Sequence, residues 1–290
     1  MKDFIEKINQ ATGQSIDIIQ RAANRINEER AAEAAASMAY YGFFSLFPML
    51  LVAVVVVSTV LENTLSQDEV LQVLLQAFPF SSDLIKENIE QVLKARGSVG
   101  LIGLVGLAWS AMGAFTVLMR NINRAWPNTR VRNFFKMRLM AFLMLAAMLT
   151  GLISLFIFNT VSRFLPPDIN EVAAKASSTQ GFTNFMLALL LFSSLLVLYW
   201  WLPSTKVRWR EAAWGALMGS ISISIVTTGF TWFLGSGLSN YNLVYGSLGA
   251  IVALLFWIYL LSLLIFVSAH LSAAIAYVRR EPKETEKIEN

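Results

Sequence analysis

The sequence predicts an all-α, polytopic integral membrane protein. It has six transmembrane helices, an N-terminal amphipathic helix and an extracytoplasmic helical hairpin between spans one and two. Three observations lead there. Of 290 residues, 56% are hydrophobic and only 14% charged, against about 25% charged in soluble domains. From Ala250 to Val267 the only polar side chains are Tyr259 and Ser262, and a run of that length and polarity reads as a membrane span. The basic residues, finally, fall in alternate connections between the apolar runs.

The opening segment, 1–31, reads as a cytosolic interfacial helix. Ile16, Ile19, Ala23 and Ile26 share one face, while Arg21, Arg25, Glu28 and Glu29 occupy others. These residues are charged throughout and lack an apolar core, so no cleavable signal peptide is expected. The membrane domain, 32–278, begins with a span from about Ala32 to Leu61 that contains Glu33 and Pro48. Proline removes a backbone hydrogen bond and should bend this helix.

Residues 62–97 are charged and divided by Pro79 into two short amphipathic patterns, with Ser81 and Ser82 as N-cap of the second. Span two, Ser98 to about Leu118, carries Gly100, Gly103, Gly106, Ser110 and Gly113 for close helix packing. A basic connection follows, holding Arg120, Arg124, Arg130, Arg132, Lys136 and Arg138, and then span three from Leu139 to about Phe158. A link with Pro166, Pro167 and Asp168 leads to span four, about Phe182 to Leu202, whose Tyr199-Trp200-Trp201 end belongs at the headgroups. Span five, Ala212 to Leu234, has a small-residue face of Gly215, Gly219 and Ser222. A chargeless loop, Gly235 to Tyr245, precedes span six, and 279–290 form a polar tail.

Six spans put both termini on one side. The N-terminal segment, the 2–3 and 4–5 connections and the tail hold eighteen of the 23 Lys and Arg. Positive-inside then places both termini in the cytosol and the hairpin outside. No internal repeat is visible, so an inverted-repeat transporter has no support.

Soluble-type catalysis fares badly. The chain has no cysteine and a single histidine, which cannot supply a typical zinc site. No nucleophile elbow, phosphate loop or dinucleotide fingerprint accompanies them. The chain is therefore expected to be no enzyme and to carry no cofactor or metal. The basic connections suit anionic lipid headgroups better than nucleic acid, because aromatic stacking partners beside them are few.

Ionisable groups within spans are costly and are functional suspects. Glu33 and His270 lie toward the same ends of spans one and six, and Arg120 and Arg138 bracket the 2–3 connection on that side. One reading is a cytosol-facing polar vestibule in which Glu33 pairs with His270 or an arginine. The other makes Glu33 and the arginines headgroup anchors and gives His270 one helix–helix hydrogen bond. Tyr40, Tyr41, Ser45 and Pro48 either line a cavity with hydroxyls and a freed carbonyl or serve packing alone. Tyr245-Gly246-Ser247-Leu248-Gly249 opens a full span, so it reads as a tight turn and helix start and not as an ion filter.

Several of these segments, in order, resemble the YihY/virulence factor BrkB family of bacterial inner-membrane proteins, from about Ala31 to Val278. They are Ala39-Tyr40-Tyr41 with Ser45-Leu46-Phe47-Pro48, Asn121 to Trp126, Leu202-Pro203 with Lys206 to Arg210 and Gly215-Ala216, and Tyr245 to Leu248 with Trp257-Ile258-Tyr259. Where the family commonly shows Gly-Ala-Glu, this chain has Ser268-Ala269-His270. An acidic role is not carried over there, whereas a titratable one is. The resemblance implies a six-helix inner-membrane protein whose relatives have been connected with envelope integrity, serum resistance and lipid or lipopolysaccharide movement. Nothing in the residues supports the older label of ribonuclease BN.

The expectation is a protein that moves or exposes an amphipathic substrate, a lipid first, along a cleft beside spans one and six. Glu33 and His270 would tune the path, Tyr40, Tyr41, Ser45, Pro48, Tyr245 and Ser247 would line it, and Arg120, Arg132 and Arg138 would draw anionic headgroups. A scaffold that recruits an envelope protein through the hairpin and a proton-coupled exporter are the competing readings. Membrane lipids, an envelope protein or a second copy of the chain are the partners expected.

Overall fold

The computed structural model describes residues 15–60, 105–127, 129, 132–162, 180–236 and 248–278. Within them the chain is helical, with no strand. The helices are α1 (Ser15–Glu28), α2 (Ala31–Val60), α3 (105–125), α4 (Phe134–Ser162), α5 (Gln180–Trp201), α6 (Trp209–Gly235) and α7 (Gly249–Val278). The hairpin 62–97, the Pro166-Pro167 link, Tyr245, Ser247 and the 279–290 tail lie outside the described residues.

Among the described residues, stretches in α4 (Phe134–Gly151), α6 (Trp209–Gly235) and α7 (Ile251–Val278) are each long and apolar enough to cross a bilayer. A shorter apolar run, Ala188–Trp201, lies in α5. The molecule is thus a helical membrane protein, and six spans is a sequence reading within which these stand out. Helices α2 and α7 have 30 residues each, or about 45 Å at 1.5 Å per residue. That exceeds the roughly 30 Å hydrocarbon thickness, so their ends have length to spare for polar work.

Helix boundaries move outward from those expected. Asn121 to Ala125 continue α3, and α4 starts at Phe134, not Leu139, so Arg120, Arg124, Lys136 and Arg138 stand on helix ends and the connection shrinks. Polar residues at a bilayer boundary do not stop a helix, because the backbone ladder continues to satisfy each N–H and C=O. Pro48 lies inside α2, which runs through it.

Helix α7 sits centrally, against α6, α2 and α1, and touches α5; α5 packs on α6 and α4 on α2. The α6–α7 crossing is the tightest glycine contact. A Cβ on Gly215 would stand 2.6 Å from Ser272 Cβ and 2.9 Å from the Ser268 carbonyl oxygen. One on Gly219 would meet Ser268 Oγ and Leu195 Cδ1, each at 3.0 Å. Two small-residue pairs spaced by four, Gly215/Gly219 and Ser268/Ser272, therefore interlock. Ser222 is only half-buried, and Ser220 takes the buried place. Ser272 Oγ donates to the Glu211 carbonyl at 2.9 Å. Tyr199, expected among headgroups, is instead fully buried and donates its hydroxyl to the Ile265 carbonyl at 2.9 Å. A phenol with a carbonyl in reach can bury its ring at little polar cost. Trp200 and Trp201 do face outward.

Gly215→Ala should destabilise the detergent-solubilised protein by about 1–3 kcal/mol, because the neighbouring backbone has to move. Gly229→Ala, with nothing within 4 Å of the added methyl, should be neutral or stabilising by up to about 1 kcal/mol. Chemical denaturation of both variants checks the contrast.

Candidate functional site

Beside the turn between α1 and α2, the residues at the ends of α2, α3 and α4 border an open polar cavity of about 570 Å³. Glu28, Glu29, Arg30, Glu33, Ser37 and Tyr41 supply one wall, and Gly113, Thr116, Arg120, Asn121, Arg124 and Arg138 the other. Its shape follows from the turn. Arg30 takes φ 51°, the left-handed region that non-glycine residues rarely adopt, in the turn between the two helices, and Glu28, Glu29 and Glu33 on either side of it border one space.

Of the groups expected to meet, the structure brings together Glu33, Tyr41, Arg120 and Arg138 in this cavity. It does not bring His270. Glu33 pairs with Arg30 one turn back, at 3.4 Å and well exposed, so of the two partners expected for it, His270 or an arginine, it meets an arginine, and a local one. The physical reason is reach: Arg30 and Glu33 are three apart on adjoining backbone and meet without crossing the bundle. Arg138 is held over the Trp109 ring at 4.0 Å and donates to the Trp109 carbonyl at 3.4 Å. That fixes a cation at the cavity wall, stacked on an aromatic face.

Tyr40 is not in the lining. It is exposed and packs on Phe44 (4.7 Å) and Tyr41 (5.5 Å) on the outer side of α2. Ser45 lies one turn beyond Tyr41 and is buried. Its Oγ donates to the Ser110 carbonyl at 3.2 Å and accepts from the Ala114 N–H at 3.2 Å. A Cβ on Gly113 would approach the same Oγ to 3.1 Å. Gly113 also lines the cavity, so the Ser45–Gly113 contact lies at its border.

Arg132 stands elsewhere, on a neighbouring cavity of about 330 Å³ that shares Arg120 and Arg124 with the first. It donates to the Pro203 carbonyl at 3.2 Å, and partial burial lowers its guanidinium pKa from the ordinary value. Nearby, the Ser204 N–H donates to Asn123 Oδ1 at 2.7 Å. These two bonds tie the α5–α6 connection to the end of α3 and to the α3–α4 connection. The three arginines singled out for headgroups thus divide between two hollows, with Arg120 common to both.

His270 is buried in α7, and among the described residues its Nδ1 has no hydrogen-bond partner. It faces a third hollow of about 200 Å³ with Arg21, Arg25, Ala125, Pro127, Ala273, Ala274 and Tyr277. Sequence reasoning missed Glu211, whose carboxylate is buried at the start of α6 and accepts from the Arg208 N–H at 3.0 Å. The capping-box signal for it is masked because Arg208, not serine or threonine, precedes it by three. No group of three His, Cys, Asp or Glu among the described residues is placed to hold a metal.

Residues 22–289 match the family described as virulence factor BrkB. The ribonuclease-like protein YfkH of Bacillus subtilis is 30% identical over 267 residues, 86% of this chain and 91% of that protein. A UPF0761 membrane protein of Actinobacillus pleuropneumoniae is 28% identical over 63% of this chain and 65% of its own length. Another, from Mannheimia succiniciproducens, is 26% identical over 88% of each. No solved structure matches the chain.

The Ser45–Gly113 contact makes a coupled prediction. Gly113→Ala should destabilise the native protein, and Gly113→Ala should cost at least about 0.5 kcal/mol less when Ser45 is also alanine, the coupling expected of residues in contact. A double-mutant cycle by denaturant unfolding measures it; strict additivity would refute the contact.

Proposed function

The chain belongs to the virulence factor BrkB family, and on that footing we propose that it moves an amphipathic envelope substrate, a lipid first, across or within the bacterial inner membrane. In this reading it is not an enzyme, crosses the membrane six times and keeps both termini in the cytosol. The cavity of about 570 Å³ carries the proposal. It sets carboxylates (Glu28, Glu29, Glu33) against guanidiniums (Arg120, Arg124, Arg138), as suits a phosphate headgroup bearing an amine or hydroxyls. Tyr40 and Phe44 stand exposed on the outer side of the same helix turns, an apolar flank along which acyl chains would travel while the head stays wet.

The path is shut at Ser45–Gly113, so movement needs α2 and α3 to part there. Transport by rocking of helix groups about a closed contact is a familiar device. Breaking two modest hydrogen bonds at about 1 kcal/mol each is within reach of substrate binding.

The absence of native cysteine allows a clean test. A Ser45→Cys/Gly113→Cys pair has the close approach that a disulfide needs. In proteoliposomes with fluorescent phospholipid, the reduced pair should translocate lipid above protein-free vesicles, and oxidation should return the rate to that background. Glu33→Ala with Arg120→Ala should slow the reduced protein. Transport undiminished by a fully formed disulfide would remove this path, and no translocation by wild type would remove the lipid reading.

A further inference from the structure

We propose that the hollow between α1 and the last turns of α7 binds a phosphate oxyanion, that of an anionic phospholipid headgroup, and that this ligand fastens α1 to the bundle. The site is separate from the transport cavity and does not depend on the transport reading.

Its lining is chemically one-sided. Arg21 and Arg25 are four apart on α1 and so share a face, and both border the hollow with His270 and Tyr277 from α7. No carboxylate is in that lining; Ala125, Pro127, Ala273 and Ala274 complete it. Glu28 and Glu29 pair with Arg25 at 3.5 and 3.3 Å, and Arg25 also donates to the Arg124 carbonyl at 3.3 Å. The Arg21 guanidinium is stacked 3.9 Å from the Tyr277 ring centroid. Both cations are thereby held in place by neighbours, the pre-organisation that favours bidentate capture of a phosphate. Arg21 and Arg25 also edge a second, shallower hollow with Asp17 and Glu28, which lies outside this lining.

The independent pointer is His270. Its side chain is 3% exposed, and among the described residues its Nδ1 has no partner. A buried ring nitrogen without a hydrogen bond is costly, and turning the ring about its Cβ–Cγ bond exchanges its edges in nearly the same volume. The hollow offers space, the Arg21 guanidinium, the Arg25 guanidinium shared with Glu28 and Glu29, and, once the ring is turned, a histidine nitrogen in want of a partner. A phosphate oxygen would supply that partner while lying beside both guanidiniums.

A lipid is the favoured source because of how α1 sits. Its Ala22 side is buried against the bundle, while Ile19, 65% exposed, and Ala23 point away. Of the apolar face expected there, Ile19 and Ala23 are thus exposed and Ile26 is only half-buried. A short helix with charged residues toward protein and isoleucine outward suits a position at a bilayer surface. Phosphates there are at a high effective concentration.

The test uses the purified full-length protein in detergent, delipidated and titrated with short-chain phosphatidylglycerol, short-chain phosphatidylcholine or inorganic phosphate, with bound ligand counted by native mass spectrometry. Phosphatidylglycerol should bind, and Arg21→Gln/Arg25→Gln should weaken it by about tenfold or more, the scale of lost charge-assisted hydrogen bonds. His270→Glu, which supplies an internal carboxylate to the same arginines, should abolish binding, and its folding is verified by circular dichroism. Bound phosphatidylglycerol should also slow tryptic cleavage after Arg21 and Arg25. Equal binding by wild type and both variants, or equal affinity for phosphatidylcholine, overturns the proposal. Binding of inorganic phosphate as tight as that of the lipid overturns the lipid as occupant.

Discussion

Lipid tails are as apolar as leucine, so two helices in a bilayer gain little by hiding apolar surface from it. What fixes them is close packing and the hydrogen bonds that close approach permits. Here that constraint is met where α6 crosses α7. Gly215 and Gly219 leave room for Ser268 and Ser272, and the approach puts Ser272 Oγ within 2.9 Å of the Glu211 carbonyl. The first turn of α6 is secured in turn by Glu211, whose carboxylate takes the Arg208 N–H and lies at the favourable positive end of the helix. With α6 and α7 set, Tyr199 of α5 can reach the Ile265 carbonyl, and the remaining helices are placed around α7.

Away from the crossing, polar groups gather at the end of the bundle that holds the α1–α2 turn. Small local pairs dominate there: Arg25 with Glu28 and Glu29, Arg30 with Glu33. Exposed pairs of this kind contribute about 0–1 kcal/mol each, so they shape the surface more than they stabilise it. The heavier constraints are the left-handed turn at Arg30 and the stacking of Arg138 on Trp109. With the carboxylates paired to arginines on their own side and Arg138 stacked on Trp109 across from them, a polar cavity lies between α2 and α3.

Much of this was legible in the chain. Apolar length and the small-residue pair Gly215/Gly219 locate helices and one packing face directly, because both signals are set by local chemistry. The partner pair Ser268/Ser272 has the same spacing and could have been read, but it stands beside His270, which drew the functional argument instead. Residue pairing was less legible. Glu33 and His270 lie toward the ends of their helices that the sequence assigns to one side, yet that says nothing about azimuth: one borders a cavity with α3 and the other a hollow with α1. Tyr199 failed for the same reason, since an aromatic at a span's end is read as an anchor unless the carbonyl it bonds is known. The buried face of α1 was likewise hidden, because a hydrophobic stripe marks the side that avoids water and a bilayer can supply that side as well as protein can.

That last ambiguity bears on how the two polar cavities differ. The larger one has both signs of charge in its lining and borders the Ser45–Gly113 contact; on the transport proposal it is the one that a head group passes through. The smaller one is lined by Arg21, Arg25, His270 and alanines, with Arg21 stacked on Tyr277 and Arg25 paired with Glu28 and Glu29; on the lipid-site proposal it is the one where a head group stays. A ligand that stays would set the position of α1, and α1 leads through Arg30 into α2, the helix carrying Glu33, Tyr41 and Ser45. Taken together, the two proposals would link lipid charge at the surface to the Ser45–Gly113 contact through one turn and one helix, without a long relay of side chains.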